Sequence, residues 1–167
     1  MLSHKKTTYE YQLLENTSEI EETFIDSFID VSQYNNFALT HANGYVHMFD
    51  FIKGSQKISY GDVIKYVENL SNDTFYIMLN VSQCYCKQDG RFRHDYKTAE
   101  ISPKDLLTML NEQKKDMQGE KLCYVNDIDR TYCWDMMIFN RTYQWCFAVT
   151  HEVDSEGKRL CFMAKAI

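Results

Sequence analysis

The sequence predicts an α+β fold with a mainly antiparallel sheet and about three helices, and three observations carry that expectation. Residues 132–167 read YCWDMMIF, NR, TYQWCFAVTHE, VDSEGK and RLCFMAKAI. Three runs rich in aromatic and β-branched residues, separated by short polar breaks, are the pattern of an antiparallel meander. The middle run is apolar on both faces, with Tyr143, Trp145, Phe147 and Val149 on one and Cys146 and Ala148 on the other. Such a strand sits mid-sheet with a layer packed over each side. Upstream, hairpin signals alternate with capped amphipathic segments, which favours antiparallel pairing over a doubly wound nucleotide fold. The expected order is (β)-α-ββ-α-ββ-α-ββββ, within one domain over residues 1–167.

Taken in order, residues 8–14 (TYEYQLL) form a short first strand. Residues 19–31 form a helix, with Ser18 as its cap and Glu21 completing a capping box. Ile20, Phe24, Ile25, Phe28, Ile29 and Val31 fall on one face, and Glu19, Glu22, Asp26 and Asp30 gather on the other. Glu21 lies in the apolar sector, where the capping role accounts for it. Residues 37–41 and 45–52 read as strands joined through Ala42-Asn43-Gly44, because Asn-Gly supplies the positive φ angles of a type I′ turn. A second helix spans about 60–70, with Ser59 as cap, Asp62 at its third position and Val63, Ile64, Val67 and Leu70 as its buried stripe.

Residues 74–86 read as one long strand, turned at Asp89-Gly90 into a more polar edge strand at 92–101. The third helix has Ser102 as cap, Pro103 at its first position and Asp105 in its first turn. It carries Leu106, Leu107 and Leu110, with Lys114 and Lys115 toward its end, and stops by Gly119. Residues 122–125 lead into the meander.

Composition bounds the function classes. The 167 residues are 44% hydrophobic and 14% aromatic, enough for a packed core and too apolar for a disordered chain. The first residues lack the apolar core of a secretion signal, and no window approaches the roughly 20 apolar residues of a membrane span. A cytoplasmic protein without a membrane role is expected. The six cysteines then read as reduced, mostly buried side chains instead of a disulfide framework.

No G-x-G-x-x-G or G-x-x-x-x-G-K-[ST] loop occurs, so no nucleotide cofactor is expected. Cys84-x-Cys86 with His94 is the best local metal candidate, but it lacks the second matching pair of a structural zinc site; two ordinary strand cysteines, and no metal, are expected. His41 and His47 read as hairpin-surface residues. His151-Glu152 at the end of the most apolar strand, with Asp135 in the neighbouring run, could form a general acid–base group. No activated Ser or Cys motif accompanies them, so the simpler reading is a strand-end histidine making one hydrogen bond, a solvated Glu152 and an Asp135 satisfied by a backbone or arginine partner.

Charge distribution is the most unusual feature. Between Thr7 and Ile52 stand eight carboxylates (Glu10, Glu15, Glu19, Glu21, Glu22, Asp26, Asp30, Asp50) and no Lys or Arg, in a chain whose net charge is −6. Basic residues gather elsewhere, at Lys87, Arg91, Arg93, Lys97 and Lys104. A negative patch repels nucleic acid and steers a basic protein into contact.

The acidic helix TSEIEETFIDSFID, the aromatic strand TYQWCFAVTHE in an α+β domain and the lack of a catalytic motif give a chain that resembles the small cytosolic immunity proteins of bacterial toxin–immunity pairs, including those of contact-dependent growth inhibition. The resemblance implies a stoichiometric inhibitor that occludes the active site of a toxin, often a basic nuclease. The sequence reading is therefore a non-enzymatic protein-binding module. Its working surface is Glu15, Glu19, Glu22, Asp26 and Asp30, with Tyr34 as an aromatic anchor. The alternative is a small hydrolase or ligand-binding enzyme using His151, Glu152 and Asp135.

Overall fold

A sheet with both faces buried needs apolar side chains at consecutive positions, and the central strands supply them. The computed structural model describes residues 9–33, 45–70, 73–79, 82–86, 91–93, 97–116 and 135–166. Along the chain come β1 (Gln12–Leu13), α1 (Ser18–Phe28), β2 (Tyr45–His47), a 3₁₀ turn (Met48–Phe51), β3 (Gln56–Ile58), α2 (Tyr60–Glu68) and β4 (Phe75–Leu79). There follow β5 (Ser82–Cys86), β6 (Arg91–Arg93), β7 (Lys97–Ile101), α3 (Pro103–Asp116), β8 (Met136–Asn140), β9 (Trp145–Val153) and β10 (Arg159–Lys165). The fold is α+β and its pairings are antiparallel. Seven strands form one sheet in the order β1-β7-β4-β8-β9-β10-β3, and β2-β5-β6 form a second.

Register explains the layering. Ile77 pairs with Ile138 and Ile138 with Phe147, so their side chains share one face. Met78 pairs with Met137, and Phe139 with Cys146, on the other. The first face packs against Val63, Ile64 and Val67 of α2 and Leu106, Met109 and Leu110 of α3. The second packs against Phe24 and Phe28 of α1 and Met48, Phe49 and Phe51 of the 3₁₀ turn. At the centre of that second core, the Phe139 ring lies 4.6 Å from Phe24 and 5.6 Å from Tyr76, centroid to centroid. Burying each such side chain contributes about 1.5–3 kcal/mol.

Two helix starts form as their local chemistry dictates. The Ser59 hydroxyl accepts the Asp62 N–H (3.0 Å) while the Asp62 carboxylate accepts the Ser59 N–H (3.2 Å), a reciprocal cap. Ser102 does the same work for α3, its hydroxyl accepting the Asp105 N–H at 3.1 Å. The first helix departs from expectation. It runs Ser18–Phe28 with Thr17 at the cap position and no side-chain capping bond, so the Ser18 capping box does not form. Ile29 leaves the helix to bridge Ile52.

The strands differ more. Residues 45–52 are a strand only at Tyr45–His47. Met48–Phe51 coil because three of those four side chains are buried on one side, where a strand would send alternate ones to opposite faces. The single strand expected at 74–86 is two, β4 in the large sheet and β5 in the small one. Double-sided apolar character ends at Leu79, and a sheet covered on both faces has no place for the polar sequence after it. Residues 92–101 likewise divide between β6 and β7, and β7 lies inside the large sheet between β1 and β4 rather than at an edge. Tyr143 does not share a face with Trp145 and Phe147. Its φ of 55° breaks the alternation before β9 begins, and its ring packs in the α1 core, 5.7 Å from Phe139. The expected strands at 37–41 and 122–125, the turns at Asn43-Gly44 and Asp89-Gly90 and the stop at Gly119 lie outside the described residues.

Truncating Phe139→Ala removes the ring joining α1 to the sheet and should cost about 3–5 kcal/mol, read as a lower denaturant midpoint. Burial pushes the Cys146 thiol up to about 12 and Cys161 up to about 11, so both stay protonated at pH 8. Iodoacetamide at that pH should leave both unmodified in the folded protein and alkylate them on unfolding, as peptide mass spectrometry will show.

Candidate functional site

A helix that buries one stripe must present the other, and on α1 the outer stripe is acidic. Phe24 and Phe28 are fully buried, whereas Glu19, Glu22 and Asp26 are exposed at helical spacing on the outside. Glu15, in the turn before the helix, is exposed as well. Asp30 lies past the end of α1 and is half-buried, and its carboxylate accepts the Gln33 N–H at 3.0 Å. It caps the helical turn at 31–33 and does not continue the row along the helix. Tyr34 lies outside the described residues.

Glu21 is set apart from its neighbours by distant partners. Its Oε1 accepts bonds from the Thr17 hydroxyl (2.6 Å) and the Thr98 hydroxyl on β7 (2.9 Å). Thr98 is only 3% exposed, so this carboxylate satisfies a hydroxyl buried between helix and sheet. That contact, and not a capping box, accounts for an acid in the apolar sector. Beside it, Arg141 pairs with Glu100 of β7 at 3.3 Å and lies over the Tyr76 ring, 5.5 Å from its centroid.

Two residues near the acidic row were not legible as its neighbours. Lys53 Nζ donates to the Asp26 carbonyl at 2.9 Å, placing a cation beside the last turn of α1 where the helix dipole favours one. Tyr143 is an aromatic residue at this surface. Its hydroxyl is pushed above the ordinary tyrosine value by burial first, then by Tyr76 and Glu19, while a hydrogen bond with Thr23 opposes the shift. The freely presented carboxylates are thus Glu15, Glu19 and Glu22, with Asp26 beside Lys53.

The residues of the alternative reading lie on or beside β8 and β9. Asp135 is buried at the start of β8, and Glu152 is half-buried in β9 with its N–H donated to the Thr150 hydroxyl at 3.3 Å. The His151 backbone belongs to β9. Cys84 and Cys86 belong to β5, and His94 lies outside the described residues. No group of three or more His, Cys, Asp or Glu that could hold a metal occurs among the described residues, and no helix there is long and apolar enough to cross a membrane.

Among the described residues, two clefts lie toward opposite ends of the strands of the large sheet. One, of about 330 Å³, is lined by Asp73, Thr74, Asn140, Arg141, Gln144 and Trp145 among others. Its polar groups serve the β8–β9 turn: Asn140 Oδ1 accepts the Gln144 and Trp145 N–H groups, and Arg141 donates to the Thr74 hydroxyl at 3.2 Å. The other, of about 720 Å³, lies between the start of α2 and the β9–β10 turn and is largely apolar. Asp135 and Glu152 line neither of these two clefts. Comparison with protein-family models, with curated proteins and with solved structures finds no match to this chain.

The division of acids is testable. Glu21→Ala strips a buried hydroxyl of its acceptor and should cost about 1–3 kcal/mol, whereas Glu22→Ala should change stability by no more than ~0.5 kcal/mol. Urea denaturation of the two variants provides the comparison.

Proposed function

We propose that the chain is a non-enzymatic protein-binding module that receives a basic protein on the acidic face of α1. The class of partner implied by the resemblance to immunity proteins is a toxin, a nuclease among the candidates, which the module neutralises by covering its active site. The observation that carries the reading is the contrast along one helix. Glu21 is engaged by two hydroxyls, while Glu15, Glu19, Glu22 and Asp26 have exposed side chains.

Like charges held in a row repel one another, and on a helix at such spacing this is mildly unfavourable. A cationic surface docking on the row removes that repulsion and gains from it. The long-range field raises the encounter rate, and desolvated pairs at the centre slow dissociation. Tyr143 and Tyr76, half-buried in the α1 core, give the patch an apolar flank of the kind on which interface energy concentrates. Nucleic acid is disfavoured as a direct ligand of this face because its phosphates would be repelled.

The test is to purify the protein with its bound partner from its native host and measure association kinetics with that partner. Combining Glu19→Lys, Glu22→Lys and Asp26→Lys should slow association by about tenfold or more at low salt, with the difference closing near ~0.5 M salt. Equal association rates for both proteins at every ionic strength would overturn the reading.

A further inference from the structure

The larger cleft arises because two neighbouring strands end at different points. β3 stops at Ile58, opposite Cys161, and the chain turns into α2. β10 begins two residues before that pair, at Arg159, which is itself opposite Val153 of β9. The β9–β10 turn therefore overhangs the first turn of α2, and the space of about 720 Å³ between them is bounded by Ile58, Tyr60 and Gly61 on one side and Gly157, Lys158 and Arg159 on the other.

Both walls are held in place. The Tyr60 hydroxyl donates to the Leu110 carbonyl of α3 at 2.5 Å, and Ser59 and Asp62 cap each other. Across the cleft, Asp154 accepts the Glu156 and Lys158 N–H groups at 2.9 Å and closes the turn. Arg159 is only 4% exposed; its Nε donates to the Thr150 carbonyl, and its guanidinium lies over the Tyr60 ring, 5.9 Å from the centroid. A pre-formed, mostly apolar cleft of this size with a few fixed polar groups suits a small ligand.

Charge selects the class of ligand. Lys57, Lys158 and Arg159 line the cleft, against the carboxylates of Asp62 and Asp154. The Ser59 N–H and hydroxyl hold the Asp62 carboxyl below its ordinary pKa, and the Lys158 and Glu156 N–H groups do the same for Asp154, with Lys57 and Lys158 lowering it further by their charge. Lys158 pairs with Glu156 at 2.9 Å, but both side chains are at least 70% exposed, and such a pair holds its lysine weakly. The lining thus sets three cations against two carboxylates, beside the apolar surface of Ile58 and Tyr60.

We propose that this cleft binds an amphiphilic organic anion, with an apolar body against Ile58 and Tyr60 and one carboxylate among Lys57, Lys158 and Arg159. The inference stands apart from the acidic surface of α1 and does not depend on it. Gly61 offers a way to close the site: a β-carbon there would have only the Ser59 hydroxyl oxygen, 3.7 Å away, within 4 Å.

The probes are 4-phenylbutyrate, 4-phenylbutan-1-ol and 4-phenylbutylamine, titrated into the full chain and followed by ¹H–¹⁵N correlation spectra. The acid should bind saturably, shift the Gly61, Gly157 and Lys158 amides, and bind about tenfold or more tighter than the alcohol or the amine. Combining Lys57→Glu with Lys158→Glu should bring the acid down to the level of the alcohol. Gly61→Leu should abolish binding of both while the thermal midpoint is kept. Equal binding of the three probes, shifts centred elsewhere, or acid affinity untouched by the double charge reversal would each overturn the proposal.

Discussion

The large sheet is covered on both faces, and most other features of the molecule follow from that constraint. A strand in its centre cannot alternate apolar with polar, so β4, β8 and β9 carry Ile77 beside Met78, Ile138 beside Phe139, and Phe147 beside Ala148. Their two sets of side chains need two separate covers. α2 and α3 supply one, and α1 with the 3₁₀ turn supplies the other. Where the double-sided run stops, at Leu79, the chain leaves the sheet and β5 pairs elsewhere.

On β7 the α1 face of the sheet carries two polar side chains, and two long side chains meet them. Thr98 and Glu100 of β7 point the same way, and Glu21 and Arg141 approach them from α1 and from the β8–β9 turn. A buried hydroxyl without an acceptor costs about 1–3 kcal/mol, which explains why one carboxylate of an otherwise outward-facing set is turned inward. Glu21 serves the fold, Asp30 caps a turn, and the side chains of Glu19, Glu22 and Asp26 are exposed.

The same reasoning separates the two clefts. In the smaller one, Asn140 and Arg141 are occupied in holding the β8–β9 turn. In the larger one the structural bonds lie within the α2 cap and within the hairpin turn, and Ile58 and Tyr60 contribute apolar surface. Both linings hold arginine, aspartate and an aromatic ring, but the surface of the larger cleft is mostly apolar and that of the smaller one is not.

Signals confined to a few consecutive residues were legible from the sequence. The caps at Ser59 and Ser102, the stripe Val63, Ile64 and Val67, the meander from β8 to β10 and the outward row Glu19, Glu22 and Asp26 all come from side-chain period and short-range hydrogen bonding. Decisions between distant segments were not. Whether residues 74–86 made one strand or two depended on which neighbours existed to pair with each half. The face taken by Tyr143 turned on a single positive φ, and the role of Glu21 required a threonine 77 residues away. The sequence alone determined that the chain forms an α+β domain with an acidic first helix, because period and charge are properties of the segment itself. Only the tertiary structure decided which acids remain outward and where a cleft opens, because both depend on side chains and strand ends that meet only when remote parts of the chain pack together.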